Sequence, residues 1–544
     1  MGGERGGARG ERAELVAVAA VSLAFALPLA LSPYVPGGDA PWHAAVVAVL
    51  AAGDPDRFLG MFETDGGFGS YVAVYRALAL LARTVGAAAA VQILCVVYVA
   101  AFVWSARALA RSLGADGWIA VLAAPAAYST TLEFGFLVYL PSLPLTLWLW
   151  ALVRSVMQHG ARPRRVAALA AAWLAICLCH AFAAAVAGLG AALLWGCELA
   201  RERRGRAALV AAIMAVGALP AALGLAGASR GARLMPGLEA EPFLDRLTTQ
   251  VFVPPLESAA RAPMHIIGYV GEPWRACIVA ALLAVAVAWR IAGRWRAPAL
   301  AAAPSLADPP SLADSPLEAG ASRRAGVYLA ALLAGLYLAT PFTFEWPRNW
   351  YGAQPRIAPL LWVAVLVALR PARSTWARGA ALVASGAALT CLASQALVPY
   401  AREARDLAAV IERSPPRART LGLIEQRPAI DRVPPDWFRN ATGWLVAERG
   451  GFASHLPMAQ RGGLNSGQHI PVRLAPGAPP APASPPLGFA RAFRWERHAA
   501  GWDQFLIRDL DPARPRDYFA GHAAEVDTVA RAGRWRLVRR ARVE

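Results

Sequence analysis

The first predicted outer loop carries four side chains whose types and spacing could do chemistry. Asp39 and His43 lie four residues apart, and Glu63 and Asp65 follow in the same loop. A carboxylate here can act as a general base on a hydroxyl or bind a cation. The alternatives are helix capping by Asp39 if a helix begins at Pro41, interfacial hydrogen bonding by His43, and an exposed acidic turn without function for Glu63 and Asp65.

Two further candidates lie among apolar residues. Glu133 is the only charged residue between Asp116 and Arg154, and an ionisable group at membrane depth is a functional candidate. His180 lies between two apolar segments. Alternatively, Glu133 is a glutamate at the water interface, and His180 is a polar group with satisfied hydrogen bonds at a break between two helices.

Arg348 and Arg356 lie in a segment rich in Trp and Tyr, residues 345–356. The guanidinium fork binds phosphate oxygens in a bidentate manner, so these arginines suit a lipid phosphate. An interfacial aromatic belt explains the same composition without a ligand.

The composition limits the chemistry. The chain has 544 residues, of which 57% are hydrophobic and 17% charged, and its formal net charge is +18. All 54 basic residues are arginine, so mechanisms that need a lysine amine are excluded. The six cysteines lie in apolar stretches and form neither a disulfide framework nor a zinc-finger spacing. We expect no metal and no cofactor, and the sequence does not support a divalent cation.

The apolar runs predict a mainly α polytopic membrane protein with about eleven transmembrane helices. The pair within 166–198 is short for two spans and is alternatively one re-entrant hairpin. The predicted spans are residues 14–34, 86–106, 117–130, 137–156, 166–180, 181–198, 207–228, 274–292, 326–344, 357–370 and 379–399.

The arginines predict a cytoplasmic N-terminus. In that orientation 21 arginines before residue 400 lie on the cytoplasmic side and 10 on the outer side. Topology therefore accounts for the positive charge without a nucleic-acid partner. The first apolar run is too long for a usual signal peptide and is interpreted as an uncleaved span.

Composition divides the chain into a transmembrane part, residues 1–400, and a soluble α/β domain outside the cytoplasm, residues 401–544. The Ala/Pro/Ser-rich range 297–325 is predicted to be a flexible cytoplasmic linker loop. Alternating residues around Trp502–Arg508 and Trp535–Arg539 predict short strands.

Several motifs together resemble the bacterial GT-C superfamily of membrane glycosyltransferases, and within it the membrane proteins labelled as related to 6-pyruvoyl-tetrahydropterin synthase. The similarity extends over most of the chain. The motifs are Gly37-Gly38-Asp39 with His43, Glu133-Phe134-Gly135-Phe136, His180-Ala181-Phe182, Gly501-Trp502-Asp503 and Gly533-Arg534-Trp535.

This resemblance implies a GT-C-like enzyme of the bacterial cytoplasmic membrane that transfers a sugar from a polyprenyl-phosphate-linked donor at the outer face. Asp39 would be the base or orient the acceptor, and Glu63 or Asp65 would be the second acid. Arg348 and Arg356, with His180, would hold the lipid phosphate. The partners would be the bilayer, the lipid-linked donor and an acceptor glycan, lipid or protein. The family usually pairs acids closely in this loop, whereas Asp39 stands alone until Asp54.

Two other functions stay open. A transporter or flippase for a lipid-linked saccharide would need charged residues at mid-membrane depth and paired broken helices in two repeats. A non-catalytic envelope-assembly protein would instead act through residues 401–544.

Overall fold

The structure is a computed structural model and is mainly helical. It describes residues 2–64, 70–199, 204–231, 253–271, 273–300, 316–344, 350–369, 375–425, 437–456, 458, 470–485 and 490–541, and every structural statement below concerns these residues.

The α-helices make up most of the described residues. They are α1 (Gly2–Ala30), α2 (Ala40–Ala52), α3 (Val72–Val85), α4 (Ala87–Ser112), α5 (Ile119–Ala123), α6 (Thr130–Glu133), α7 (Ser142–His159), α8 (Pro163–Cys179), α9 (Ala181–Leu199), α10 (Arg204–Gly231), α11 (Pro255–Ile266), α12 (Trp274–Leu300), α13 (Pro316–Ala339), α14 (Ala353–Leu369), α15 (Thr375–Leu392), α16 (Val398–Glu412), α17 (Thr442–Arg449) and α18 (Trp495–His498).

Within the described residues, five helical segments are long and apolar enough to cross a membrane. They are Gly10–Ala30, Ala87–Ser112, Ala181–Leu199, Trp274–Ile291 and Thr375–Glu412. The protein is therefore a helical membrane protein with several spans. The number eleven and the cytoplasmic N-terminus stay predictions.

The structure gives the shape of two predicted membrane regions, residues 117–130 and the pair of segments within 166–198. Residues 117–130 form α5 and then a 3-10 turn, Ala124–Tyr128, rather than one helix. Pro125 lies in that turn, and proline has no N–H for an α-helical hydrogen bond. The pair within 166–198 is two helices, α8 and α9, which meet at the extended residue His180.

The predicted linker 297–325 is helical at both ends. Helix α12 continues to Leu300, and α13 begins at Pro316. The prediction of a loop over the whole range was therefore wrong at these ends. Its middle, residues 301–315, lies outside the described residues.

The boundary predicted at residue 400 falls inside a helix. Helix α15 continues through a π turn, Ala393–Leu397, directly into α16. The membrane segment and the C-terminal part are therefore joined by continuous helical backbone. Arg508 donates to both carboxylate oxygens of Glu403 on α16, which fixes this helix to the C-terminal sheet.

Among the described residues, the C-terminal sheet has five strands in the order β5-β4-β7-β9-β8. Strand β4 pairs in parallel with β5 and β7, whereas β9 pairs antiparallel with β7 and β8. The two predicted strands are confirmed as β7 and β9. The strand bounds are β4 (Arg419–Ile424), β5 (Phe452–Ala453), β7 (Gln504–Arg508), β8 (Val526–Ala532) and β9 (Trp535–Arg540).

The first loop packs directly against the C-terminal part. Strand β1 (Phe62–Thr64) pairs antiparallel with β6 (Val472–Leu474). Helix α17 packs on α2 so closely that a β-carbon at Gly443 would lie 2.4 Å from the carbonyl carbon of Pro41. A second two-stranded pair, β2 (Thr343–Phe344) with β3 (Trp350–Tyr351), precedes α14. The C-terminal part thus contacts the loop in which the sequence predicts the site.

Candidate functional site

Asp39 lies at the N-cap position of α2, as the sequence allowed, but its carboxylate makes no capping hydrogen bond to that helix. Its backbone is held instead by a neighbouring turn. The amide of Asp39 donates to the carbonyl of Phe134 at 2.9 Å, and the amide of Gly38 donates to that of Glu133 at 3.0 Å. Capping therefore does not account for the carboxylate.

Gly135 lets the two turns approach. Its φ is +80°, a region that L side chains rarely adopt. A β-carbon there would lie 2.7 Å from the amide nitrogen of Ala40 and 2.8 Å from that of Asp39. The position of Asp39 therefore depends on a residue without a side chain at position 135.

The Asp39 carboxyl is poised near neutral pH. Burial raises its pKa from 3.8 to about 6, while a hydrogen bond from Trp42 and the charges of Arg439 and Arg356 oppose that rise. The side chain is still partly exposed. A carboxylate with this pKa is a stronger base than an ordinary aspartate and remains mostly ionised at pH 7.

Arg356, in the first turn of α14, brings a buried positive charge close to Asp39. It is 7% exposed, and its guanidinium carbon lies 4.2 Å from the ring centre of Phe136 and 5.3 Å from that of Tyr139. The hydroxyl of Tyr139 donates to the backbone oxygen of Arg356 at 3.1 Å. Aromatic contacts therefore hold the guanidinium in place.

His180 completes the basic side of the site. Its Nε2 lies 2.9 Å from Nη1 of Arg356, and its Nδ1 lies 3.1 Å from the amide nitrogen of Phe182. Because a guanidinium can only donate, Nη1 of Arg356 donates to Nε2 of His180. The histidine therefore holds the guanidinium in place, and the arginine supplies the positive charge that an anion would meet.

Tyr71 lies at the site, although no sequence pattern indicates this. It has a φ of +76°, unusual for a bulky residue, and its amide donates to the carbonyl of Leu178 at 2.9 Å. Its ring meets that of His180 edge to face, with centres 4.5 Å apart. Backbone strain of this kind occurs at functional sites, and the sequence does not reveal it.

The C-terminal part contributes three residues that sequence reasoning missed. The Asn440 amide donates to the carbonyl of Gly38 at 2.7 Å and to Oδ1 of Asp39 at 3.4 Å. Arg439 is exposed, and its charge acts on both Asp39 and His455. Burial and this arginine lower the pKa of His455 to about 4, and His455 has a φ of +64°. More than 390 residues separate these groups from Asp39 along the chain, so no local pattern links them.

His43 and Glu63 differ in their surroundings. Nδ1 of His43 lies 2.6 Å from the Tyr75 hydroxyl, and its ring stacks on Trp42 with centres 3.7 Å apart. His43 is 3% exposed and is hydrogen-bonded to the backbone of Gly135, so it lies beside the turn that positions Asp39. Glu63 lies opposite Arg473 in the β1–β6 pair and accepts from that side chain.

Glu133 is 1% exposed, and its Oε1 lies 3.4 Å from Nη2 of Arg275. Glu133 therefore touches the Asp39 loop through its backbone, while its carboxylate faces an arginine. Asp65 and Arg348 lie outside the described residues.

The next feature concerns the side chains that could bind a metal ion. In the part of the chain that the structure describes, no group of three or more His, Cys, Asp or Glu side chains could hold a metal ion. Cys177 and Cys179 are buried free thiols.

An apolar cavity of about 760 Å³ lies between α4, α7 and α8. Leu145, Trp148, Leu152 and several alanines line it, and none of the residues around Asp39 does. This cavity is therefore separate from the site described above.

No protein-family model matches the sequence, and no curated protein matches it. Among solved structures, the chain is similar to ArnT from Cupriavidus metallidurans bound to undecaprenyl phosphate. The likeness has 14% identity and a TM-score of 0.38, and it covers 96% of this chain and 97% of that chain.

Proposed function

We propose that the protein transfers a sugar from a polyprenyl-phosphate-linked donor to an acceptor hydroxyl at the outer face of a bacterial cytoplasmic membrane. The observation that carries the proposal is the pairing of a partly exposed Asp39, whose pKa is raised to about 6, with the buried Arg356–His180 pair. The site thus offers a base and an anion-binding pair close together.

The chemistry assigns one role to each side. The Asp39 carboxylate accepts the proton of the acceptor hydroxyl as its oxygen attacks the anomeric carbon of the sugar. The bond between that carbon and the phosphate oxygen breaks, and the polyprenyl phosphate leaves with the bonding electrons. Arg356 donates to the phosphate as its negative charge increases, and His180 orients the guanidinium by accepting from it. Arg348, outside the described residues, is proposed to bind the same phosphate.

The surroundings suit a lipid-linked donor. The C-terminal end of α1 precedes the Asp39 loop. Leu27 in this end of the helix is 47% exposed, and Leu31, directly after the helix, is 62% exposed. Exposed leucines on a membrane helix contact lipid chains, so a polyprenyl chain can lie on this surface while its phosphate reaches Arg356.

The test uses the full chain in lipid nanodiscs. A panel of polyprenyl-phosphate-linked sugars is added with a bacterial envelope extract as the acceptor, and mass spectrometry measures the polyprenyl phosphate released. We expect Asp39→Asn to lower release about 10²- to 10⁴-fold, the usual contribution of a general base. Asp56→Asn, an exposed aspartate of the same loop, is the matched control and should retain full activity.

A second variant tests the anion-binding side. Arg356→Gln should weaken binding of polyprenyl phosphate, measured by its effect on thermal stability, whereas Asp39→Asn should retain that binding. Sugar release that is equal in Asp39→Asn and Asp56→Asn would refute the proposal. Translocation of the donor in proteoliposomes without any sugar transfer would favour a flippase instead.

A further inference from the structure

The turn before α17, residues 437–441, belongs to the C-terminal part but reaches the Asp39 loop. Asn440 is 6% exposed, and its amide nitrogen donates to the carbonyl of Gly38 and to Oδ1 of Asp39. An asparagine amide carries two N–H donors, so one side chain can hold the backbone and the carboxylate together.

The turn is held firmly on both sides. The ring of Phe438 stacks on that of Tyr400, with centres 4.8 Å apart. The Tyr400 hydroxyl donates to the carbonyl of Val35 at 2.9 Å, just before the Asp39 loop. On the other side, the close contact of Gly443 with Pro41 leaves no room for a side chain. The Asn440 amide is therefore presented at a fixed position.

We propose that Asn440 is a positioning residue for Asp39, so that the C-terminal part of the chain completes the catalytic site. Asn440 fixes the rotation of the carboxylate, and the neighbouring Arg439 adds a positive charge at the exposed side. This inference deepens the proposed function and rests on it. Asn440 acts through Asp39 and is not itself a catalytic residue.

The physical consequence is a change in the ionisation of Asp39. A hydrogen bond donated to a carboxylate and a nearby positive charge both favour the ionised form. Removing either one should therefore raise the pKa of Asp39 above its value of about 6. A residue that only stabilises the fold would leave that pKa where it is.

The first measurement does not need the reaction. The melting temperature is followed from pH 3 to pH 8 for the parent protein and for Asp39→Asn, and the midpoint of their difference lies halfway between the pKa values of Asp39 in the unfolded and the folded protein. The same pair is then measured in an Asn440→Ala background and in an Arg439→Gln background. We expect each to raise the folded-state pKa by about 0.5 to 1 and therefore to move the midpoint up by about half as much. Arg497→Gln, an exposed arginine elsewhere in the C-terminal part, is the matched control and should not move it.

The second measurement is the pH profile of sugar release. A pKa that rises from about 6 to about 7 lowers the ionised fraction at pH 6.5 about threefold. Asn440→Ala should lose about that factor in kcat at pH 6.5 and regain it at pH 8.5, with KM for the donor changed less than twofold. Asn440→Asp, which keeps the shape but removes the donor and adds a negative charge, should move the profile further.

The outcomes separate the two proposals. A shifted midpoint together with a shifted profile supports the positioning role. An unshifted midpoint overturns that role, whether or not transfer declines. A shifted midpoint in a protein that transfers no sugar from any donor supports the contact between Asn440 and Asp39 but overturns the proposed function.

Discussion

Replacing Gly135 by alanine should misplace Asp39 without touching any polar group of the site. The new β-carbon would lie 2.7 Å from the amide nitrogen of Ala40. An ordinary contact of about 3.4 Å therefore requires a movement of about 0.7 Å. The neighbours at this point are backbone atoms, which cannot rotate away as the end of a flexible side chain can. This movement would lengthen the hydrogen bond from the Asp39 amide to the carbonyl of Phe134.

The expected cost has two parts. A misplacement of about 1 Å at a reacting group can lower the rate about 10²-fold, so we expect Gly135→Ala to lose between about tenfold and 10²-fold in kcat. Overpacking costs about 1–3 kcal/mol of stability, and the positive φ of 80° adds about 1 kcal/mol. Binding of polyprenyl phosphate should change less than kcat, because the three atoms nearest to the new β-carbon all belong to Asp39 and Ala40.

Gly53 provides a matched control. It also has a positive φ, +64°, but no atom lies within 4 Å of the position that its β-carbon would occupy. Gly53→Ala therefore carries the backbone strain without the displacement and should lose only about 1 kcal/mol with normal activity. Sugar release and melting temperature are measured for both variants in nanodiscs. Equal sugar release from the two variants would refute the argument that Gly135 positions Asp39.

Three further predictions follow from single groups. The folded-state pKa of Asp39, about 6, exceeds its ordinary value of 3.8, so its favourable contribution exists at low pH and is lost as pH rises through 6. Between pH 4 and pH 8 the free energy of unfolding of the parent protein should thus fall by up to about 3 kcal/mol relative to that of Asp39→Asn. The difference in melting temperature between the two proteins checks this. Glu63→Gln removes an ion pair in which Arg473 is 63% exposed. It should therefore lower the free energy of unfolding, measured by denaturation, by less than about 1 kcal/mol and leave sugar release unchanged. A large loss of sugar release would instead support Glu63 as the second acid. Arg508→Gln leaves the Glu403 carboxylate, which is 17% exposed, without its bidentate partner. It should lower the free energy of unfolding by about 3 kcal/mol and make the C-terminal part more sensitive to limited proteolysis. Unchanged proteolysis would contradict the proposed attachment of α16 to the C-terminal sheet.

Local sequence patterns identified part of the site, because some of its residues lie in short segments with a recognisable composition. Asp39 after two glycines, Arg356 among aromatic residues and His180 at a helix break were all selected from the sequence, and the structure brings these three together. Glu63 satisfied the same criteria, yet the structure places it in a surface ion pair. His43 lies beside the Gly135 turn and contacts Tyr75. A residue type and its spacing do not specify which direction a side chain faces.

Long-range packing decided the rest. The sequence shows no relation between Asn440 and Asp39, because a contact over 401 positions depends on how α17 packs on α2. The strained backbone of Tyr71 and His455 is likewise invisible in sequence, since surrounding contacts impose a positive φ on residues that do not favour it.

By itself the sequence determined a lysine-free, helical membrane protein with several spans, because apolar length and residue type are properties of the chain alone. It also determined the two closing strands of the C-terminal sheet, where alternation is local. Only the tertiary structure decided that the C-terminal part touches the first loop and that the charges of two arginines distant in sequence act on Asp39. The physical reason is that burial and charge proximity, which set the pKa of Asp39, arise only when remote segments pack together.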